Sequence, residues 1–505
     1  MHRLIQSFLR DQLSPAQDAE YRAIVHQLLA AADPGDPDQP GNRARYAEIL
    51  PHLGPAQVST STDPRIRQLV RHMVGYLDGR GEYTATVELA RAALPGWTDH
   101  LGPDADDVIA LRVMLANSLR SLGRYAEAKE LDDGSLDQAR RSLGAGHPTT
   151  LAVANGLAAS LRRLGDWHAG LALDEDVLVL SRQLPEGHRR RQLATHNYAV
   201  SMRMMGRFTE ALAVDEQTQA ELRQRSGGVD NAHLLFSANN LARDLRECGR
   251  YQESVELQED VYRRYRELLG EDHPSSLRAM KNLAVTLRKV GRYADARDLA
   301  QASYELHRRR LGPKHQETLA ASTNLANDLR MTGELFGARA RAQDAYEVLD
   351  RTAGERHPYT LAAATNLAIA LRRTDQLEKA REITERTYRL FGEVLDPAHP
   401  YTLACGTNLA SDRQATGDRD GACELGTELL AMSRRVRGDA HPYTLACAIN
   451  LAADLRLAGD HATARTLQAE TVQRYVEVLG PEHPETLAVS TTRERIDCDI
   501  EPPPT

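Results

Sequence analysis

The sequence predicts an all-α solenoid of about ten helical hairpins, and three regularities carry that prediction. A histidine recurs at His273, His315, His357, His399, His441 and His483, each 42 residues after the last, and His147 lies in the same register three periods upstream. Glycines keep step at Gly81, Gly123, Gly165, Gly206, Gly249, Gly291, Gly333, Gly417 and Gly459, with Asp375 filling the one place left over. Between these markers, apolar residues fall three or four apart. A fixed period of this length marks stacked units, none of which can bury its apolar face alone.

The unit from Glu271 to Gly312 shows why each element forms. Pro274 stands in a first helical turn, where its missing N–H costs nothing. Met280, Leu283, Leu287 and Val290 share one face of that helix, and Gly291 follows where a left-handed residue ends it. Tyr293, Ala296, Leu299, Ala300, Ser303 and Leu306 make the stripe of a second helix, closed by Gly312. The recurrent histidine reads as a loop-shaping residue. One per 42 residues, with no i, i+4 pair, is no metal-ligand spacing.

In chain order, residues 1–50 read as an N-terminal helical segment, with helices over 2–13 and 19–32 and a loop of prolines and glycines at 33–41. Residues 1–32 are expected to dock as a cap on the degenerate first hairpins at 66–95. The solenoid proper runs over 66–483. Residues 484–498 read as a polar capping helix, and 499–505 as an extended tail, because three consecutive prolines cannot continue a helix.

Composition excludes several classes of function. A net charge of −8 with interspersed signs argues against general nucleic-acid binding. No apolar run reaches the length of a membrane span, and the early Asp11 argues against a secretory signal, so a cytoplasmic setting is expected. The five cysteines show no C-x-x-C spacing. There is no phosphate-binding G-x-x-x-x-G-K-[ST] loop and no constellation of catalytic residues. Neither an enzyme nor a cofactor or metal is expected.

Nine places before the turn glycine stands an asparagine, at Asn197, Asn240, Asn282, Asn324, Asn366, Asn408 and Asn450. Three places before it stands an arginine, at Arg120, Arg162, Arg203, Arg246, Arg288, Arg330, Arg372 and Arg456. Asparagine is a mediocre helix former, so its repetition in mid-helix needs another reason; its amide can both donate to and accept from a peptide backbone. Arg278, Lys281, Asn282, Arg288 and Lys289 share one stripe, opposite Leu283 and Leu287. Two roles remain open for these series. They could bind a ligand, or the asparagines could bond neighbouring repeats while the arginines pair with acids of the array.

The pattern L-A-x-x-L-R-x-x-G-R-Y-x-x-A, from Leu283 to Ala296, resembles the tetratricopeptide repeat, and the 42-residue period opening on H-P-x-T-L resembles its kinesin-light-chain variety. The resemblance covers residues 66–498 and implies a right-handed superhelix whose first helices line a concave groove for a peptide. It marks Asn197, Asn240, Asn282, Asn324 and Asn366 as peptide-contacting, with Arg278, Lys281, Arg288, Lys289, Arg246 and Arg330 as the basic positions beside them. The implied function is a non-catalytic scaffold holding an extended, acidic peptide. Repeats of this kind also resemble the C-terminal regions of bacterial NB-ARC/STAND switch proteins, and Met1–Arg10 resembles the end of a winged-helix segment. A regulatory arm partnered by an ATPase on another chain, or a helper in a peptide-maturation gene cluster, are therefore alternatives.

Overall fold

The computed structural model describes residues 12–37, 39–225, 232–492 and 495–502. Helices account for all the regular structure among them, as the period predicts. They belong to two compact units, one formed by residues 1–160 with 179–186 and the other by 161–178 with 187–505.

In the first unit, helix 15–31 begins at a reciprocal cap: the Ser14 hydroxyl accepts from the Gln17 N–H, and the Gln17 side chain accepts from the Ser14 N–H. This start lies four residues before the predicted one. The helix expected over 2–13 falls almost wholly outside the described residues. Leu29 is buried in one cluster with Tyr46, Met73, Val74 and Trp97, and His26 Nε2 lies 2.8 Å from the Ala56 carbonyl. The N-terminal segment thus packs on helix 64–79. An additional helix, Arg43–Leu53, was not expected; Tyr46, Ile49 and Leu53 form its buried stripe.

In the second unit the hairpin anatomy follows the repeat. The helices 274–289 and 293–311 meet at Gly291, whose φ is 81°. Asp375 adopts the same left-handed conformation at φ 61°, which a short polar side chain tolerates better than most.

The recurrent histidine does two things. Its Nδ1 accepts the N–H two residues on, capping the first helix: from Ser275 at 3.2 Å, Tyr401 at 3.1 Å and Tyr443 at 3.1 Å. Because Nδ1 accepts, the proton sits on Nε2, and Nε2–H donates to a carbonyl far back in the chain. His357 reaches Arg163 O at 3.0 Å, His399 reaches Met204 O at 2.9 Å, His441 reaches Glu247 O at 3.0 Å and His483 reaches Lys289 O at 3.1 Å. Each partner lies roughly four and a half repeats upstream, so within this unit one turn of the solenoid rests on the next. Burial pushes the imidazole pKa of His399 down to about 4 and that of His441 to about 3, which keeps both neutral. Glycine is required at these contacts for space as well as for φ: a Cβ on Gly249 would meet Pro442 Cδ at 2.7 Å.

Turn-on-turn packing explains why first helices such as 358–373 are buried on nearly every side. The asparagine stripe therefore faces an enclosed lumen, with Asn282 only 3% and Asn324 only 2% exposed.

The C-terminal end departs from expectation. The capping helix predicted over 484–498 stops after Pro484–Leu487 and a further helical turn through 492, and the chain is extended over 495–501. The physical reason is burial: in extended form Ile496, Cys498 and Ile500 join an apolar cluster with Trp167, Phe208, Tyr401 and Ile449. A helix over the same residues could not direct alternate side chains to opposite sides.

Candidate functional site

The extended segment 495–501 lies along the lumen against the asparagine series. Asn450 Nδ2 donates to Ile496 O at 2.9 Å, and Ile496 N–H donates to Asn450 Oδ1 at 2.9 Å. Asn408 and Cys498 make the same pair of bonds at 2.8 and 3.1 Å, and Asn366 and Ile500 at 2.7 and 3.0 Å. Each amide thus satisfies both backbone groups of one residue, donor and acceptor together. The tail advances two residues per repeat and runs against the repeat order. One repeat therefore matches two residues of extended chain, about 6.7 Å.

The intervening side chains are acids, and each meets cations. Asp497 pairs with Arg330 at 3.0 Å, Arg372 at 2.8 Å and Arg373 at 2.9 Å. Asp499 pairs with Arg288 at 2.9 Å and Lys289 at 2.7 Å, and the Tyr443 hydroxyl donates to its backbone carbonyl. Glu501 bonds Arg246 and lies 3.4 Å from Arg243. Burial disfavours ionisation of Asp497 and Asp499, yet the surrounding guanidinium and ammonium groups outweigh it and hold both carboxyls well below the usual range. A cavity of about 330 Å³ opens beside Asp497 and Asp499. On its wall Glu485 is pushed up to about 7, chiefly by burial, with Asp499 adding repulsion.

The arginine series divides into two kinds. Arg120, Arg162 and Arg203 are locked within the array, on Asp132, Asp174 and Asp215 twelve residues downstream; Arg203 also binds Asp244. At Arg246, Arg288, Arg330 and Arg372 the twelfth residue on is Gln258, Ala300, Ala342 or Thr384. Those four guanidiniums lack that acid and reach the tail, and Arg288 and Arg372 also pair with Asp328 and Asp412 of the following repeat.

Of the positions that the resemblance marks, Asn366, Arg246, Arg288, Lys289 and Arg330 meet the tail. The others do not meet its described residues. Asn197 is half-buried. Asn240 bonds the Phe236 carbonyl of its own helix at 2.9 Å. Asn282 donates to Asn239 at 3.2 Å, leaving its Oδ1 without a partner among the described residues. Asn324 is buried, and among the described residues neither amide atom is bonded. Lys281 pairs with Glu317 of the next repeat, and Arg278 stacks over Phe236. Sequence reasoning left Asn408, Asn450, Arg243, Arg372, Arg373 and Tyr443 out of the site. Two signals could have found most of them: the loss, from Arg246 onward, of the acid twelve residues downstream, and the alternation Asp497, Asp499, Glu501.

A solenoid of helical hairpins with a lumen that grips extended backbone defines a class: the helical-repeat proteins built for polypeptide contact. The tetratricopeptide repeat matches residues 107–169, 233–309, 282–351 and 317–393, and a second form of that repeat matches 402–443 and 444–485. The chain belongs to the tetratricopeptide repeat family. A solved structure of nearly identical TPR-like repeats from a Podosopora anserina putative kinesin light chain is 28% identical, covering 40% of this chain and 96% of that one, with a TM-score of 0.33. A Rap protein complexed with Competence and Sporulation Factor shares the fold at 12% identity and a TM-score of 0.57, covering 73% of this chain and 98% of that one. BtubC from P. vanneervenii is 17% identical, covering 46% and 92%, with a TM-score of 0.34. No curated protein matches the chain. Among the described residues, no helix is long and apolar enough to cross a membrane, and no three potential metal ligands cluster.

Proposed function

We propose that this chain is a non-catalytic scaffold whose lumen receives an extended peptide of a partner protein, with acidic side chains at alternate positions. One observation carries this reading: the segment 495–501 is held there by paired amide bonds to its backbone and by cations on its acids. The asparagines grip any backbone, so they supply affinity without choosing sequence. The cations choose. With the segment in place Arg246, Arg288 and Arg330 are buried, and a neutral peptide would leave Arg330 without a carboxylate and strip Arg288 of one of its two. An acidic peptide avoids that penalty and gains charge-assisted bonds, each worth roughly 1.5–3 kcal/mol.

Selection of peptides by the intact chain from a displayed random library tests the proposal. Enriched sequences should carry Asp or Glu at every second position. Arg330→Ala should weaken the acidic preference at one of those positions, because Asp497, the acid it meets, keeps only Arg372 and Arg373. Enrichment with no alternation, or one indifferent to Arg330, would refute it.

A further inference from the structure

The segment that fills the lumen belongs to the chain itself, and its register shows where its hold ends. Ile496, Cys498 and Ile500 take Asn450, Asn408 and Asn366 in turn. Two residues further along the tail is Pro502, and one repeat further along the array is Asn324. Proline has no N–H to donate, so the bond pair cannot be repeated there. Asn324 is accordingly 2% exposed with both amide atoms unpartnered among the described residues. The next asparagine, Asn282, also has an unpartnered Oδ1. Buried amides are seldom left unpaired, and leaving one so is costly. The lumen thus holds binding capacity that the described residues of the tail leave unused.

We propose that residues 495–501 are a built-in competitor for the peptide site, and that the partner displacing them is an alternately acidic strand bearing an N–H where the tail has Pro502, so that it also engages Asn324. The proposal rests on the function proposed above. The tail enjoys the high effective concentration of a tethered ligand, and a partner without an extra contact would compete poorly. One further bond pair changes that balance. At the usual net strength of a hydrogen bond, it favours the partner by roughly five- to tenfold or more. Proline at 502 therefore leaves the tail strong enough to exclude weakly matched peptides and weak enough to yield to a well-matched one.

The test uses two fluorescent synthetic peptides, Arg-Ile-Asp-Ser-Asp-Ile-Glu followed by three alanines or by three prolines, and full-length proteins. Anisotropy should show the alanine-ended probe binding the tail-weakened chain (Asp497→Asn with Glu501→Gln) about tenfold or more tighter than the wild type. Pro502→Ala keeps the hydrogen bonds and ion pairs of residues 495–501 and allows a bond to Asn324, so it should weaken probe binding several-fold. Mere loss of proline stiffness would act in the opposite direction. In the tail-weakened chain, the alanine-ended probe should bind roughly fivefold tighter than the proline-ended one, and Asn324→Ala should abolish that difference. Equal probe affinity for the wild type, the tail-weakened chain and Pro502→Ala would overturn the competitor while leaving the binding site intact. Equal affinity of the two probes would overturn the role of Asn324. Failure of both probes to bind any variant that still melts cooperatively would overturn the peptide-binding function itself.

Discussion

Asn408→Ala isolates the grip on the tail. The substitution removes both bonds to Cys498, at 2.8 and 3.1 Å, and strands a buried N–H and a buried carbonyl. Stranding costs about 1–3 kcal/mol per group, while the helix propensity that alanine gains is the same with the tail docked or released and cancels. The net loss is about 2 kcal/mol at the conservative end, equivalent to a roughly 30-fold larger population of released tail. The ion pairs at Asp497, Asp499 and Glu501 remain, so the tail stays docked for most of the time. Cys498 is the reporter: it is fully buried, and burial pushes its thiol pKa up, so it reacts only when the tail is out. Labelling with a thiol reagent, followed by peptide mapping, separates it from the array cysteines Cys405 and Cys447, which are also buried. The expected result is a roughly 30-fold faster modification of Cys498 with Cys405 and Cys447 unchanged. An unchanged rate at Cys498 would refute the reasoning, as would a rise shared by all three, which would mean that the array itself had loosened.

Three further outcomes are expected. Arg203→Met should destabilise the array by about 3–5 kcal/mol in denaturant unfolding, because it leaves Asp215 and Asp244 buried without their cation, whereas Arg330→Ala should leave the array melt nearly unchanged, since the acid it meets belongs to the tail. Gly249→Ala and Gly333→Ala both force a side chain into left-handed backbone, at about 1–2 kcal/mol, but only Gly249 faces a proline of the next turn, so it should lower the melting temperature more; equal losses would argue against close turn-on-turn packing. The advantage of wild type over His399→Gln should be complete above pH 6.5 and shrink as pH falls toward 4, because the unfolded imidazole takes a proton near 6.5 and the buried one only near 4. A pH-independent difference in melting temperature would contradict that assignment.

By itself, the sequence determined the repeat, the two helices of each unit and the turn between them. These follow from local rules: Pro274 in a first turn, Gly291 in left-handed backbone and apolar residues three or four apart act within one hairpin and need no distant partner. The asparagine series was legible for the same reason, since a mediocre helix former repeated in mid-helix signals a demand from outside the helix. What fills the lumen was decided by the tertiary structure alone. Residues 495–498 read locally as more helix, and only contacts 46 to 134 residues back in the chain, from Asn450 to Asn366, make extended backbone the better state. The second role of the histidines was hidden likewise, because the Met204 carbonyl reaches His399 only once the superhelix has closed a turn. The same arginine position of the repeat pairs with two array acids at Arg203 but with one array acid and the tail at Arg288, and what separates them is whether the facing helix supplies an acid or, as at Ala300, only a methyl group. Period and propensity are properties of neighbours in the chain; occupancy and charge pairing belong to neighbours in space.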